Sequence, residues 1–267
     1  MTDNHLEIYV CPCCHGSLGR RPEALACPAC AREFPYRLDI PDFLLEPPSE
    51  SADPFLRDVE SFGRLAAIYE TPLWLPLVGR LAGGWQMTPA GELFAFARGL
   101  MSRVQGRVLD VATGTATFGR HVAGVGRTVY GVDVSLHMMR KGQAYVRQER
   151  VEGMHFARAH AQALPFADAE FNGCLIGGSL HIFPDTARAL AEITRTLTPG
   201  APVWITTMFW GDRGLLSFGW MRRRMERNRK MRVFELPALR QFLLDAGLER
   251  IEMATQGSFV MVTASKA

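Results

Sequence analysis

Long apolar runs are missing from this chain. None reaches the roughly 18–20 residues that a membrane-spanning helix needs, so no membrane partner is expected. Met1 to Glu7 offers no basic segment followed by an apolar one, so no secretory leader is expected. Net charge is scarce: 30 Lys and Arg against 27 Asp and Glu leave +3. That excess is too mild to imply nucleic acid by itself, and any case from charge must rest on its local distribution. Internal repeats and low-complexity segments are absent. Cysteine is nearly absent from most of the chain, since five of the six lie between Cys11 and Cys30. A secreted disulfide protein usually spreads its cysteines along the fold, whereas crowding at CxxC spacing points to metal and a reducing compartment. The expected location is therefore cytoplasmic. What is present is ordinary for a globular protein, with 48% hydrophobic and 21% charged residues. At about 150 residues per domain, 267 residues suggest one large domain or two unequal ones.

Composition divides the chain into zones. Residues 1–46 carry the cysteine cluster and read as a zinc ribbon. Residues 47–105 read as a linker, rich in proline between Pro47 and Pro54, followed by a helical cover with apolar residues at helical spacing. From residue 106 to 267 short β-branched apolar runs alternate with helical stretches. Strands are expected at 107–111, 128–133, 171–176, 201–207, 248–254 and 259–264, and helices near 117–124, 136–149 and 185–197. That alternation calls for a parallel sheet covered on both faces, a doubly wound, Rossmann-like α/β fold.

The sharpest motif runs from Val108 to Thr117, a strand entering a small-residue turn. Ala112, Gly114 and Ala116 let the backbone approach a ligand closely, and a helix N-terminus beyond them favours polar groups. Asp133 lies twenty-three residues after Asp110, at the end of the second strand. A carboxylate there can accept both hydroxyl hydrogens of a ribose. Taken alone, the same residues also fit a tight strand–helix turn followed by a surface aspartate.

In the first zone, Cys11, Cys14, Cys27 and Cys30 form a Cx2C…Cx2C pair. Two such knuckles bring four thiolates into a tetrahedron that suits Zn²⁺ and closes its coordination sphere, which argues for a structural ion. Cys13 and His15 compete as ligands within the first knuckle. Chelation is expected to unfold the N-terminal module and leave the core with its cofactor site.

Residues 106–200, with the segments from Phe234 to Leu239 and Asp245 to Gly247, resemble class I S-adenosylmethionine-dependent methyltransferases motif by motif. Gly106 to Thr115 looks like that family's first motif, and Tyr130 to Ser135 like its ribose strand. Ala163 to Asp168, followed by Phe171, resembles the segment around the adenine. Ser179 to His181 resembles the end of its fourth strand, and Arg195 to Gly200 the turn into the fifth. The resemblance implies that Asp110 and the backbone of Ala112, Thr113, Gly114 and Thr115 hold the methionine moiety, and that Asp133 holds the ribose. It likewise implies Val134 and Met138 beside the adenine, Ala161 and Gln162 near its amino group, and Gly177 and Gly178 on the floor. The chain departs from the pattern at positions 112 and 116, where alanines replace the usual glycines, and at His160, which replaces the usual aspartate. The ribbon looks like short modules that precede or partner some methyltransferases.

Methyl transfer from a sulfonium needs a positioned nucleophile more than an acid–base apparatus. His181 is the candidate general base, at the ligand-facing end of a parallel strand. A histidine that packs or orients the loop is the more ordinary reading of the same residue. Tyr69 and Trp74 resemble the helical cover of small-molecule methyltransferases, or pack as core aromatics. Residues 208–232 occupy the place of a substrate lid and interleave Trp210, Phe218, Trp220, Met221 and Met225 with Arg222, Arg223, Arg224, Arg227, Arg229, Lys230 and Arg232. A solvated face, an anion site and an RNA contact all fit such a run. The leading expectation is a methyltransferase acting on a small metabolite. The alternatives are an RNA base methyltransferase and a protein that binds S-adenosylmethionine for another reaction.

Overall fold

In the computed structural model, residues 4–46, 90–211, 219–220, 223–224 and 232–267 are described. The first part holds a four-stranded antiparallel sheet of β1 (Gly19–Arg20), β2 (Ala24–Ala26), β3 (Glu33–Arg37) and β4 (Ile40–Pro41). Helix α1 (Ala90–Leu100) then leads into a second sheet. Its strands are β5 (Gly106–Val111), β6 (Arg127–Asp133), β7 (Met154–Arg158), β8 (Gly173–Gly177), β9 (Pro202–Met208), β10 (Leu248–Gln256) and β11 (Phe259–Lys266). Between them lie α2 (Gly119–Val122), α3 (Leu136–Gln148), α4 (Thr186–Arg195) and α5 (Leu236–Asp245). The spatial order is β10-β11-β9-β8-β5-β6-β7, and β11 runs antiparallel to both of its neighbours.

Each central strand serves two cores, because successive side chains leave opposite faces of a strand. Leu109, Val111, Tyr130, Val132, Cys174, Ile176, Val203 and Ile205 join one cluster. Val108, Val129, Leu175 and Trp204 join the other. Helices α4 and α5 cover the first face through Leu190, Ile193, Leu239 and Leu243. Met139 of α3, with Ala97 and Met101 at the end of α1, covers the second. Strands buried on both faces read as continuous apolar runs, which is why this zone was legible.

Caps fix the helix entries. The Ser135 side chain accepts a hydrogen bond from the Met138 backbone N–H, and Asp185 does the same for Arg188. Helix α2 is shorter than the sequence suggests, a single turn where 117–124 was expected. Gly124 and Gly126 adopt positive φ and the chain turns at once into β6, so no longer helix dipole stands behind the turn. Strand β7 was not anticipated at all.

The N-terminal part shares the first core. Ile8, Tyr9, Phe34 and Phe43 are buried in the same cluster as Tyr130, Phe166 and Phe171. The Tyr9 ring lies 5.1 Å from Phe43 and 5.5 Å from Phe166. Backbone bonds add to this: Val10 N–H donates to Pro165 (3.0 Å) and Phe43 N–H to Arg158 (2.7 Å). Of the expected helical cover, residues 47–89, with Tyr69 and Trp74, lie outside the described residues. So does most of the segment after Gly211, including Phe218, Met221, Arg222, Met225, Arg227, Arg229 and Lys230.

Candidate functional site

The C-terminal ends of β5, β6 and β8 meet around one turn. After Val111 the backbone enters the left-handed region at Ala112 (φ 53°), Gly114 (φ 54°) and Ala116 (φ 60°). Glycine tolerates that conformation and alanine does so at a cost of roughly 1–2 kcal/mol each. The two alanines therefore keep the backbone path on which close approach depends, and they strain it. Asp110 is buried and turned beneath the turn. Its Oδ2 accepts the Thr113 hydroxyl (2.5 Å) and the Gly119 N–H (3.1 Å). Burial, opposed by those two bonds, raises its pKa to about 7. In this arrangement Asp110 braces the loop from below. Thr115, fully buried, pairs its hydroxyl with that of Thr117 at 2.9 Å.

Asp133, half-buried at the end of β6, faces the turn. Its Oδ2 accepts the Gly114 N–H (2.8 Å) and its Oδ1 accepts the Ser135 N–H (2.8 Å). Each oxygen keeps lone-pair capacity, enough for two further hydroxyl donors. Burial raises its pKa, and the three backbone N–H groups of Ser135, Gly114 and Val134 oppose that rise. Val134 and Met138 are half-buried beside it, and the Met138 methyl reaches toward Gly114. His160 Nδ1 lies 3.2 Å from the Gln162 N–H, and the Gln162 amide donates to Asp185 O (3.3 Å). Ala161 and Gln162 are half-buried.

The two glycines at the end of β8, Gly177 within it and Gly178 just past it, divide. Gly178 (φ 70°) is exposed, with no atom of the described residues within 4 Å of where a Cβ would stand. Gly177 faces the Phe118 ring, which a Cβ would strike. Of the two, Gly178 is the one with open space beside it among the described residues. Next to it the Ser179 hydroxyl is buried without a hydrogen-bond partner among the described residues. His181 is 7% exposed, and its Nδ1 is 3.3 Å from the Thr207 hydroxyl. Burial lowers its pKa to about 4, so the imidazole is neutral at pH 7. If Thr207 donates to Nδ1, the proton sits on Nε2 and His181 cannot accept there. If Nδ1 donates, Nε2 is an acceptor.

Arg158 was not singled out in the sequence. It ends β7, is 5% exposed, and donates from Nε to Val134 O (2.8 Å) and from Nη1 to Asp42 Oδ2 (3.0 Å). Nothing in the sequence signals it, because its carboxylate partner lies 116 residues away.

At the other end of the chain, the sulfurs of Cys11, Cys14, Cys27 and Cys30 lie within 4.8 Å of one another. The cluster includes neither Cys13 nor His15. Cys11 and Cys30 sulfurs are 3.6 Å apart, Cys14 and Cys27 3.5 Å. Tetrahedral Zn–S bonds of about 2.3 Å put sulfurs roughly 3.8 Å apart, so the donor set fits a zinc ion. The knuckles repeat one geometry. Cys11 N–H donates to Gly16 O and Cys27 N–H to Arg32 O, while His15 and Ala31 both take positive φ. Hydrogen bonds, chiefly from the Cys30 backbone N–H, lower the Cys27 pKa to about 7, while burial pushes Cys11 up to about 12, so the four thiols do not ionise alike before a metal binds.

Comparison with known proteins bears on the same zone. Residues 108–200 match the family described as a methyltransferase domain. A demethylmenaquinone methyltransferase of Porphyromonas gingivalis is 40% identical over 103 residues, 37% of this chain and 42% of that protein. An uncharacterized protein of Mycobacterium tuberculosis is 33% identical over 129 residues, 47% of this chain. The matched region spans 46% of that relative, so the chain covers less than half the length of these relatives. Among solved structures, a Haemonchus contortus phosphoethanolamine N-methyltransferase 2, in complex with phosphomonomethylethanolamine and S-adenosylhomocysteine, superposes with a TM-score of 0.63. It is 16% identical and covers 79% of this chain and 60% of that one, a likeness of fold.

Proposed function

We propose, from the match of residues 108–200 to a methyltransferase domain, that the protein transfers a methyl group from S-adenosylmethionine to a small metabolite. The observation that carries the reading is the joint at Asp133, whose carboxylate spans from the Ser135 N–H to the Gly114 N–H. It thereby ties the ribose position to the turn that would approach the methionine moiety. Bound S-adenosylmethionine supplies the electrophilic methyl group. The chain's own residues bind and orient: Asp133 takes the ribose hydroxyls, and Ala112 to Thr115 line the methionine arm. Val134 and Met138 flank the adenine, and Gly178 leaves room at the floor. His181 holds a proton or an acceptor at Nε2 according to its bond with Thr207. With a pKa near 4, it is a base of low strength, suited to an acceptor that is nucleophilic without losing a proton to it or is already deprotonated.

The names demethylmenaquinone methyltransferase and phosphoethanolamine N-methyltransferase belong to enzymes of small molecules, which supports a metabolite over RNA. The ribbon is read as a structural zinc module in the first 46 residues, the core as residues 106–267, and 208–232 as a substrate lid. The protein incubated with S-adenosylmethionine and a metabolite extract should form S-adenosylhomocysteine, and nuclease treatment of the extract should leave that turnover intact. Turnover lost on nuclease treatment, or collapsing between low and moderate salt as counterions are released, would overturn the small-molecule reading.

A further inference from the structure

The sequence suggests a ribbon that folds and unfolds apart from the core, but a buried ion pair between them, Asp42 with Arg158, leads to the cofactor crevice. Asp42 closes the ribbon just after β4. It is 7% exposed, its backbone N–H donates to Pro35 O (2.9 Å), and its carboxylate receives Arg37 Nε (2.9 Å) as well as Arg158 Nη1 (3.0 Å). The Phe43 N–H donates to the Arg158 carbonyl at 2.7 Å, so the ribbon's exit strand binds both ends of the same arginine. From the other edge of its guanidinium, Arg158 donates to Val134 O at 2.8 Å. Val134 follows Asp133, whose own carbonyl is held by the Ala159 N–H at 3.1 Å, and Asp133 and Arg158 are register partners of β6 and β7. The guanidinium thus spans from a ribbon carboxylate to the peptide unit that aims the Asp133 carboxylate. Its planar fork holds both bonds in one fixed geometry, whereas the compact, rotatable ammonium of a lysine does not impose it.

We propose that Arg158 is a positioning residue that ties the zinc ribbon to the adenosine half of the cofactor site, so that metal binding in the ribbon and cofactor binding in the crevice strengthen each other. The proposal rests on the S-adenosylmethionine reading above. Arg158 touches no reacting atom. It acts through Val134 and Asp133, and the ribbon supplies the buried counter-charge without which its own burial would be unfavourable. Because coupling between two equilibria is reciprocal, the factor by which zinc tightens the cofactor must equal the factor by which the cofactor tightens zinc.

The test uses the full-length chain loaded with zinc. Titration calorimetry with S-adenosylhomocysteine, and with methylthioadenosine as an adenosine-bearing probe lacking the amino-acid arm, is run on wild type, Arg158→Lys and Asp42→Asn. Zinc loss to a chromogenic chelator is timed with and without S-adenosylhomocysteine. In wild type, the cofactor product should slow zinc loss about tenfold. Both variants should bind the two nucleosides about tenfold more weakly, while keeping one zinc and a cooperative melt. In both, the effect of S-adenosylhomocysteine on zinc loss should vanish. A purely structural salt bridge would lower the melting temperature and leave nucleoside affinity and zinc protection in the folded variant as in wild type, and that result would overturn the proposal. Failure of zinc-loaded wild type to bind either nucleoside would instead overturn the cofactor reading on which it stands. If Asp42→Asn does not fold, Arg158→Lys, which keeps the charge and loses the fork, decides between these outcomes.

Discussion

Replacing Ala112 with glycine should make the protein more stable, although it removes side-chain atoms. Ala112 holds φ 53° at the start of the turn, a conformation in which an L-residue's Cβ crowds the following carbonyl. Relief of that strain is worth roughly 1–2 kcal/mol. Glycine's freer unfolded chain gives back about 0.4–1 kcal/mol. The half-buried methyl of Ala112 contributes little packing, so the net expectation for Ala112→Gly is a gain of about 0.5–1 kcal/mol. Ala116 is the internal control. Its φ of 60° carries the same strain, but its side chain is fully buried against the second core. Losing that methyl costs a further ~1 kcal/mol, so Ala116→Gly should be neutral or mildly destabilising. Urea denaturation of both variants, in one buffer and with unchanged m-values, measures the two differences. A destabilised Ala112→Gly protein would refute the strain argument, as would equal effects at the two positions.

Other expectations follow from the same geometry. Below its unfolded pKa of about 6.5, His181 must be held neutral by the fold until the pH reaches about 4. The unfolded chain binds the extra proton across that window, so stability should fall with decreasing pH by up to ~3 kcal/mol from this residue. Asp110 acts in the opposite sense. Its raised pKa means that the folded chain takes up a proton first as pH falls through about 7. The difference between wild type and His181→Gln in urea melts from pH 7 to 4 isolates the histidine, and a constant difference would contradict its burial. Elemental analysis of protein prepared without chelator should find about one zinc per chain, and Cys14→Ser should lower it, whereas Cys13→Ser should not. Equal loss in both would displace the four-cysteine assignment.

The central strands could be read from sequence because each is buried on both sides and so spells a continuous apolar run. β7 could not. Met154, Phe156 and Ala157 are its apolar content, and His155 and Arg158 interrupt it. Both polar residues are accommodated by contacts distant in sequence: His155 stacks on His5 and Arg158 pairs with Asp42. The turn residues were found because small side chains at fixed offsets after a strand are a local signal. That Asp110 braces the loop from beneath, while Asp133 faces it, depends on which side of the strand each leaves, and strand phase is visible only once the pairing is known. The same limit hid the difference between Gly177 and Gly178. The ribbon's cysteines announced themselves by spacing, but its burial against Tyr130 and Phe166 did not, since Tyr9 and Phe43 look like any ribbon aromatics until they meet the other sheet.

Calorimetric titration of S-adenosylhomocysteine into wild type and Asp133→Ala tests the central claim most directly. If the Asp133 carboxylate receives the ribose hydroxyls beside the Gly114 turn, wild type binds and the variant loses roughly 1.5–3 kcal/mol, the scale of charged hydrogen bonds removed from a partly buried site. Equal affinity in the two proteins, or no binding by the wild type, would contradict it.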